Sequence, residues 1–230
     1  MNTVALIVAA GRGVRFGGDI PKQFRIILDR PLLAWTAMQF EKARLVDEIV
    51  LVIAEDFMLY AGDKVVKQSS FAKLKRIIKG GETRRESVLN GLKALPISTG
   101  FVAIHDGARP LVDAADIDRV IAVAHKERAA ILARPIADTV KRVEADYVIS
   151  SLDRSKLYRA ETPQVFQYDL IKSAHEKYIS GREVTDDSAL VEALGFKVRT
   201  VIPEKRNLKV TTEEDMQLAK MIIEENNREA

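Results

Sequence analysis

Short, nearly unbroken apolar runs at residues 3–9, 48–54, 101–105 and 130–135 take turns with longer stretches of helical spacing at 31–44, 83–95 and 114–128. Runs that are apolar on both faces suit the buried strands of a parallel sheet, because the crossover helices cover each face. Their alternation predicts an α/β fold: a single doubly wound, mostly parallel sheet flanked by helices, with ligands gathering at the carboxyl ends of the strands. At 230 residues the chain fits one domain over 1–230, and no stretch reads as a linker. Residues 139–158 break the rhythm. Two β-rich arms flank Glu144-Ala145-Asp146, which predicts an inserted β-arm of the kind that reaches a partner subunit. Beyond it, helices are expected near 170–178, 186–194 and 213–226, with a strand at 197–202.

Charge narrows the partners. The 36 basic and 33 acidic residues nearly cancel, so no general field for nucleic acid exists and any anion must be met by local clusters. The absence of cysteine excludes disulfides, thiolate metal sites and a cysteine nucleophile, and fits a reducing, cytoplasmic setting. No stretch is long enough to span a bilayer. The apolar start lacks a basic leader and runs into glycines and arginines, so it reads as a strand and not as a signal peptide.

The stretch LIVAAGRGVRFGGDIPKQF places Gly11, Gly13, Gly17 and Gly18 directly after the first strand. Such a turn can aim consecutive N–H groups into one concavity suited to phosphate. It is not a P-loop, since Asp19-Ile20 stands where Lys-Ser or Lys-Thr is required. As a dinucleotide fingerprint it is weak, because the third glycine comes one place late and the next strand ends only near Glu55. Arg15 and Lys22 add two cations to the loop, and Pro21 stiffens the approach to Lys22. At the end of the third run, HDGARP puts Asp106 where a carboxylate can hold Mg²⁺ together with phosphate and water, with Arg109 beside it. His105 reads as a near-core histidine, whereas His125 and His175 are expected to be exposed on helices. Trp35 is assigned to the core. GGETRRES and TDDSAL carry helix-capping signals, and NLKVT presents Lys209 on a short extended piece before another capped helix.

Taken in order, AAGRGVRFGGDIPKQF, GGETRRESV, HDGARP, LYRAETPQVF, TDDSAL and NLKVT resemble the 2-C-methyl-D-erythritol 4-phosphate cytidylyltransferase family over nearly the whole chain. The resemblance implies a nucleotide-diphospho-sugar-transferase-like Rossmann variant. It also implies a step of non-mevalonate isoprenoid synthesis in which CTP and a polyol phosphate give a cytidine diphosphate derivative and pyrophosphate. On it, Arg15 and Lys22 hold the triphosphate, while Lys209 and Arg154 position the attacking phosphate. Ala9, Ala10, Gly11, Gly13, Gly81, Glu82 and Ser87 form the nucleoside pocket, and Asp106, Arg109, Thr139, Thr162 and Thr185 surround the acceptor. It further implies Mg²⁺ as cofactor and a homodimer through the β-arm, in which Thr139 and Arg154 serve the partner's site. The ribitol 5-phosphate cytidylyltransferase group and a catalytically silent nucleotide-binding subunit are the rival readings. The glycine-rich loop is expected to be mobile before CTP arrives, because glycine lowers the cost of rearrangement.

Overall fold

The structure is a computed structural model that describes residues 1–11, 20–67, 71–178 and 184–229. The chain opens with β1 (Thr3–Ala9), a small hairpin of β2 (Ile26–Ile27) and β3 (Arg30–Pro31), and α1 (Leu32–Lys42). Next come β4 (Glu48–Ile53), α2 (Met58–Ala61) running into a π-helical turn, β5 (Leu74–Lys79), α3 (Arg84–Ala94) and β6 (Phe101–Asp106). Then α4 (Ala114–Glu127) leads to β7 (Ala129–Pro135) and the arm strands β8 (Lys141–Glu144) and β9 (Tyr147–Ser151). The last elements are β10 (Tyr158–Gln167), α5 (Tyr168–Glu176), α6 (Asp187–Ala193), β11 (Arg199–Val201) and α7 (Glu213–Glu229).

Among the described residues the main sheet has seven strands in the order β11-β7-β10-β6-β1-β4-β5. β1 pairs in parallel with β4 and β6, and β4 with β5, as the unbroken apolar runs require. Side chains alternate between two cores. Ala5, Ile7, Ile49, Leu51 and Ala103 pack against α1 and α4 on one face. Val4, Leu6, Val50, Val52, Val102 and Ile104 pack against α3, α5 and α6 on the other. Helix α3 lies very close to the sheet at Gly91, where a Cβ would stand 2.6 Å from Leu6 Cδ1.

β10 departs from the sequence expectation. It is the longest strand and runs antiparallel between β6 and β7, with a register shift between Ala160 and Gln164 around the cis Thr162–Pro163 bond. Its central residues are buried, so no period-two alternation marks it, and the proline argues against a central strand. The bulge resolves that conflict, because it takes Pro163 out of the ladder.

The arm is a separate two-stranded sheet. Ala145 and Asp146 have φ of 46° and 66°, the two left-handed residues of a type I′ turn, so the hairpin is as the sequence predicted. It is shorter than 139–158 suggests, since Tyr158 already begins β10. Val143, Tyr147, Val148 and Ile149 are exposed.

Candidate active site

Four chain segments meet at the carboxyl ends of β1 and β6. At β1, the buried amide of Gln23 donates to both Ala9 O and Gly11 O at 2.8 Å, which holds the start of the glycine-rich loop. Lys22 opens a 3₁₀ turn behind Pro21, and its ammonium donates to Val210 O at 2.7 Å. The Lys22 cation is thereby fixed beside the segment that carries Lys209. Arg15 and Gly13 lie outside the described residues, as does the loop whose mobility was expected.

The turn before α3 is sealed from within. Thr83 and Glu86 form a reciprocal capping box, Glu82 N–H donates to Glu86 Oε2, and Gly81 N–H donates to Ser87 Oγ at 3.0 Å. These donors are already taken, so the turn supplies shape more than an anion nest. Gly80 makes that shape feasible, since a Cβ there would sit 2.3 Å from Ala10 Cβ. Ser87 Oγ also donates to Thr83 O, which leaves it little spare capacity towards a ligand.

At the end of β6, Asp106 is the hub. Its Oδ1 accepts from Arg84 Nε at 3.0 Å, its Oδ2 from Lys209 Nζ at 2.8 Å, and Arg109 Nε stands 3.7 Å away. Burial would raise the carboxyl's pKa, but the nearby Arg84, Lys209 and Arg109 charges hold it well below the usual carboxylate range. Lys209 arrives there because the segment that carries it is docked: Val210 N–H donates to Ala108 O, Arg109 Nη1 to Asn207 O, and Asn207 Nδ2 to Thr162 O. Beneath them lies His105, fully buried, with Nε2 towards Arg109 O and Nδ1 towards the Thr162 hydroxyl. Burial pushes its pKa down to about 3, so it is a neutral structural imidazole, as its sequence setting suggested.

Two cavities open on this hub. The first, about 430 Å³, is lined by Ala9, Ala10, Gly11, Gly81, Glu82 and Ser87, and Lys22 also faces it. The second, about 240 Å³, is lined by Arg109, Thr162 and Thr185. Arg84, Asp106 and Lys209 belong to both. The residues expected around the nucleoside and those expected around the acceptor are thus sorted into adjoining compartments. Thr139 and Arg154 are not brought there. Both are exposed at the base of the arm, where the Arg154 guanidinium caps Ala137 O.

Among the described residues no three histidine, cysteine or acidic side chains cluster as a metal cage. Asp106 is a single carboxylate with two cations already at hydrogen-bond distance, so it fits an ion that brings most of its ligands as phosphate oxygen and water, not a resident metal.

The family model for 2-C-methyl-D-erythritol 4-phosphate cytidylyltransferase matches residues 3–225. The chain belongs to this family. It is 42% identical over 232 residues to the enzyme of that name from Geotalea uraniireducens, covering all of both chains. It is 43% identical over 228 residues to that of Desulforamulus reducens, covering 98% of this chain and 97% of the relative. The crystal structure of 4-diphosphocytidyl-2C-methyl-D-erythritol synthase from Anaerococcus prevotii superposes with a TM-score of 0.85 at 33% identity, over 97% of this chain and 98% of the other. Membership bears out the resemblance, the fold and the nucleotidyltransferase class.

Sequence reasoning missed Arg84 and Asp187, whose motifs read as helix caps, and Gln23 and Asn207, which carry no charge to draw notice. It also misplaced His175. That residue is buried, with Nε2 3.1 Å from Asp187 Oδ1, because α6 packs over the α5 face that carries it. His125 is half-buried, packed on Phe101 and bonded to the Thr3 hydroxyl.

Proposed function

We propose that the protein transfers the cytidylyl group of CTP to 2-C-methyl-D-erythritol 4-phosphate and releases pyrophosphate. One observation carries the reading: two adjoining cavities share Arg84, Asp106 and Lys209, so two anionic substrates can meet across one set of fixed charges. The second pKa of a phosphate monoester is about 6, so at neutral pH the acceptor is already mostly the dianion and needs no general base. Its oxygen forms a new bond to the α-phosphorus as the bond to the bridging oxygen of pyrophosphate breaks. The obstacle is repulsion between polyanions, which pre-placed cations lower.

Lys22 and Arg15 neutralise the triphosphate, and Lys209 orients the attacking oxygen. Backbone groups of Ala9, Ala10, Gly11, Gly13, Gly81 and Glu82, with Ser87, enclose the nucleoside. Arg109, Thr162 and Thr185 bind the acceptor. A divalent cation such as Mg²⁺, carried on the triphosphate next to Asp106, would supply charge neutralisation and Lewis-acid polarisation of the phosphoryl oxygens. The exposed apolar arm supports a homodimer in which Thr139 and Arg154 reach the partner's acceptor compartment. No helix among the described residues is long and apolar enough to cross a membrane, which agrees with a cytoplasmic enzyme.

Pyrophosphate release measured with CTP and either methylerythritol phosphate or ribitol 5-phosphate tests the reading. Release should depend on the first acceptor. Preference for ribitol phosphate would transfer the assignment to the rival group, and release with neither would indicate a silent binding protein.

A further inference from the structure

Arg84 stands at the wall between the two cavities, and both ends of its guanidinium are engaged. Nε donates to Asp106 Oδ1 at 3.0 Å from the β6 side. Nη1 faces Asp187 Oδ2 at 2.8 Å, close but outside the alignment of a hydrogen bond. Asp187 is 1% exposed at the start of α6, and its other oxygen meets His175 Nε2 at 3.1 Å, itself 2% exposed on α5. A chain of groups therefore runs from the interior of α5 through α6 and α3 to Asp106 and on to Lys209.

Helix capping does not account for this placement. Asp186, not Asp187, caps α6, and Thr83 with Glu86 caps α3. A buried carboxylate is costly unless it is matched by a charge, and breaking such a pair is more costly than never having built it. Asp187 is matched by an arginine whose other end leaves the interior and grips the carboxylate at the junction. Only the planar fork of arginine can serve two carboxylates in this way, because lysine offers one point charge.

We propose that Arg84 is a positioning residue for the transfer reaction. Anchored by the buried Asp187–His175 pair, it sets the Asp106 carboxylate, and through it the Lys209 ammonium, relative to both substrates. The proposal rests on the function given above. It makes α6, which also borders the acceptor compartment through Asp186, the fixed end of the device.

The test is a double-variant cycle on the full chain with Arg84→Lys, Asp187→Asn and both together. It reads kcat and KM for CTP and methylerythritol phosphate, CTP affinity by calorimetry, and Tm. Each single variant should lower kcat roughly ten- to hundredfold, the scale of a small misplacement of reacting groups, while CTP affinity changes little. The double variant should be no slower than the slower single one, since both substitutions cut the same link. A purely structural role would lower Tm and leave kcat of the folded enzyme intact, and that result overturns the assignment. So do effects on kcat that multiply in the double variant. If Asp187→Asn does not fold, Arg84→Lys at its partly exposed site decides the matter by its effect on kcat alone. Wild-type protein that releases no pyrophosphate would instead refute the function, and this inference with it.

Discussion

The Asp106 junction and the β8–β9 arm are built on opposite plans. At the junction most charges are met by groups from distant stretches of chain: Arg84 and Lys209 on Asp106, Arg109 on Asn207, and Lys22 on Val210. The arm makes its polar contacts locally, Lys141 with Ser151 and Arg154 with Ala137, and leaves Val143, Tyr147 and Val148 in solvent. One region is finished by folding. The other has apolar surface that folding of a single chain does not cover. The contrast teaches where each kind of information lies: the junction is pre-organised by the sheet, whereas the arm keeps an exposed apolar face that the homodimer proposed above would use.

The contrast can be broken most sharply by charge removal. Lys209→Ala or Lys22→Ala should fold normally yet lose at least about a hundredfold in kcat, on the order of 2.7–4 kcal/mol in the barrier, as for a lost oxyanion donor. Steady-state pyrophosphate release checks this, and near-wild-type turnover would remove either lysine from the machinery.

Next comes the arm. Arg154→Ala should also be slow, but mixing it with Lys209→Ala through a denaturation and refolding cycle should restore activity. Each mixed dimer would then contain one site with both groups intact. A mixture no faster than its parents would show that Arg154 serves its own chain or none.

Smaller effects concern the scaffold beneath the junction. Gly91→Ala would force a Cβ against Leu6 and should cost about 1–3 kcal/mol, seen as a lower urea midpoint, with kcat of the folded enzyme unchanged.

The last effect is one of pH. His105 has its folded pKa depressed to about 3, so its contribution is intact above the unfolded value near 6.5 and is lost as pH falls towards 3. Stability should fall across that window by up to about 1.4 kcal/mol per pH unit. His125, also lowered chiefly by burial, adds in the same direction. From about pH 3.9 downward, Asp106 and Asp187 add to the loss, because their folded pKa values lie below the unfolded one. A flat profile of stability between pH 6.5 and 4 would show that His105 is not buried as described.

How far the sequence revealed this follows from the range of each interaction. β1, β4 and β6 were legible because burial on both faces writes an unbroken apolar run, and the arm because Glu144-Ala145-Asp146 sits between β-rich segments. β10 was not, since Pro163 and the buried polar residues Glu161, Thr162 and Gln164 break the apolar run that marks a central strand. Lys22, Asp106 and Lys209 were identified through their motifs, yet their convergence is a property of the sheet order. Asp187 escaped notice because the helix dipole already explains an acid in the first turn, and Arg84 because it sits inside a capping motif that Thr83 and Glu86 account for. Their pairing spans more than a hundred residues, which no local pattern can encode.

The most direct measurement is a crystal structure with CTP and an unreactive analogue of the acceptor phosphate. The α-phosphorus should lie between the Lys22 and Lys209 ammonium groups, with the acceptor phosphate on the Arg109 side of Asp106. A triphosphate bound away from these lysines, or both ligands in one compartment, would contradict the account.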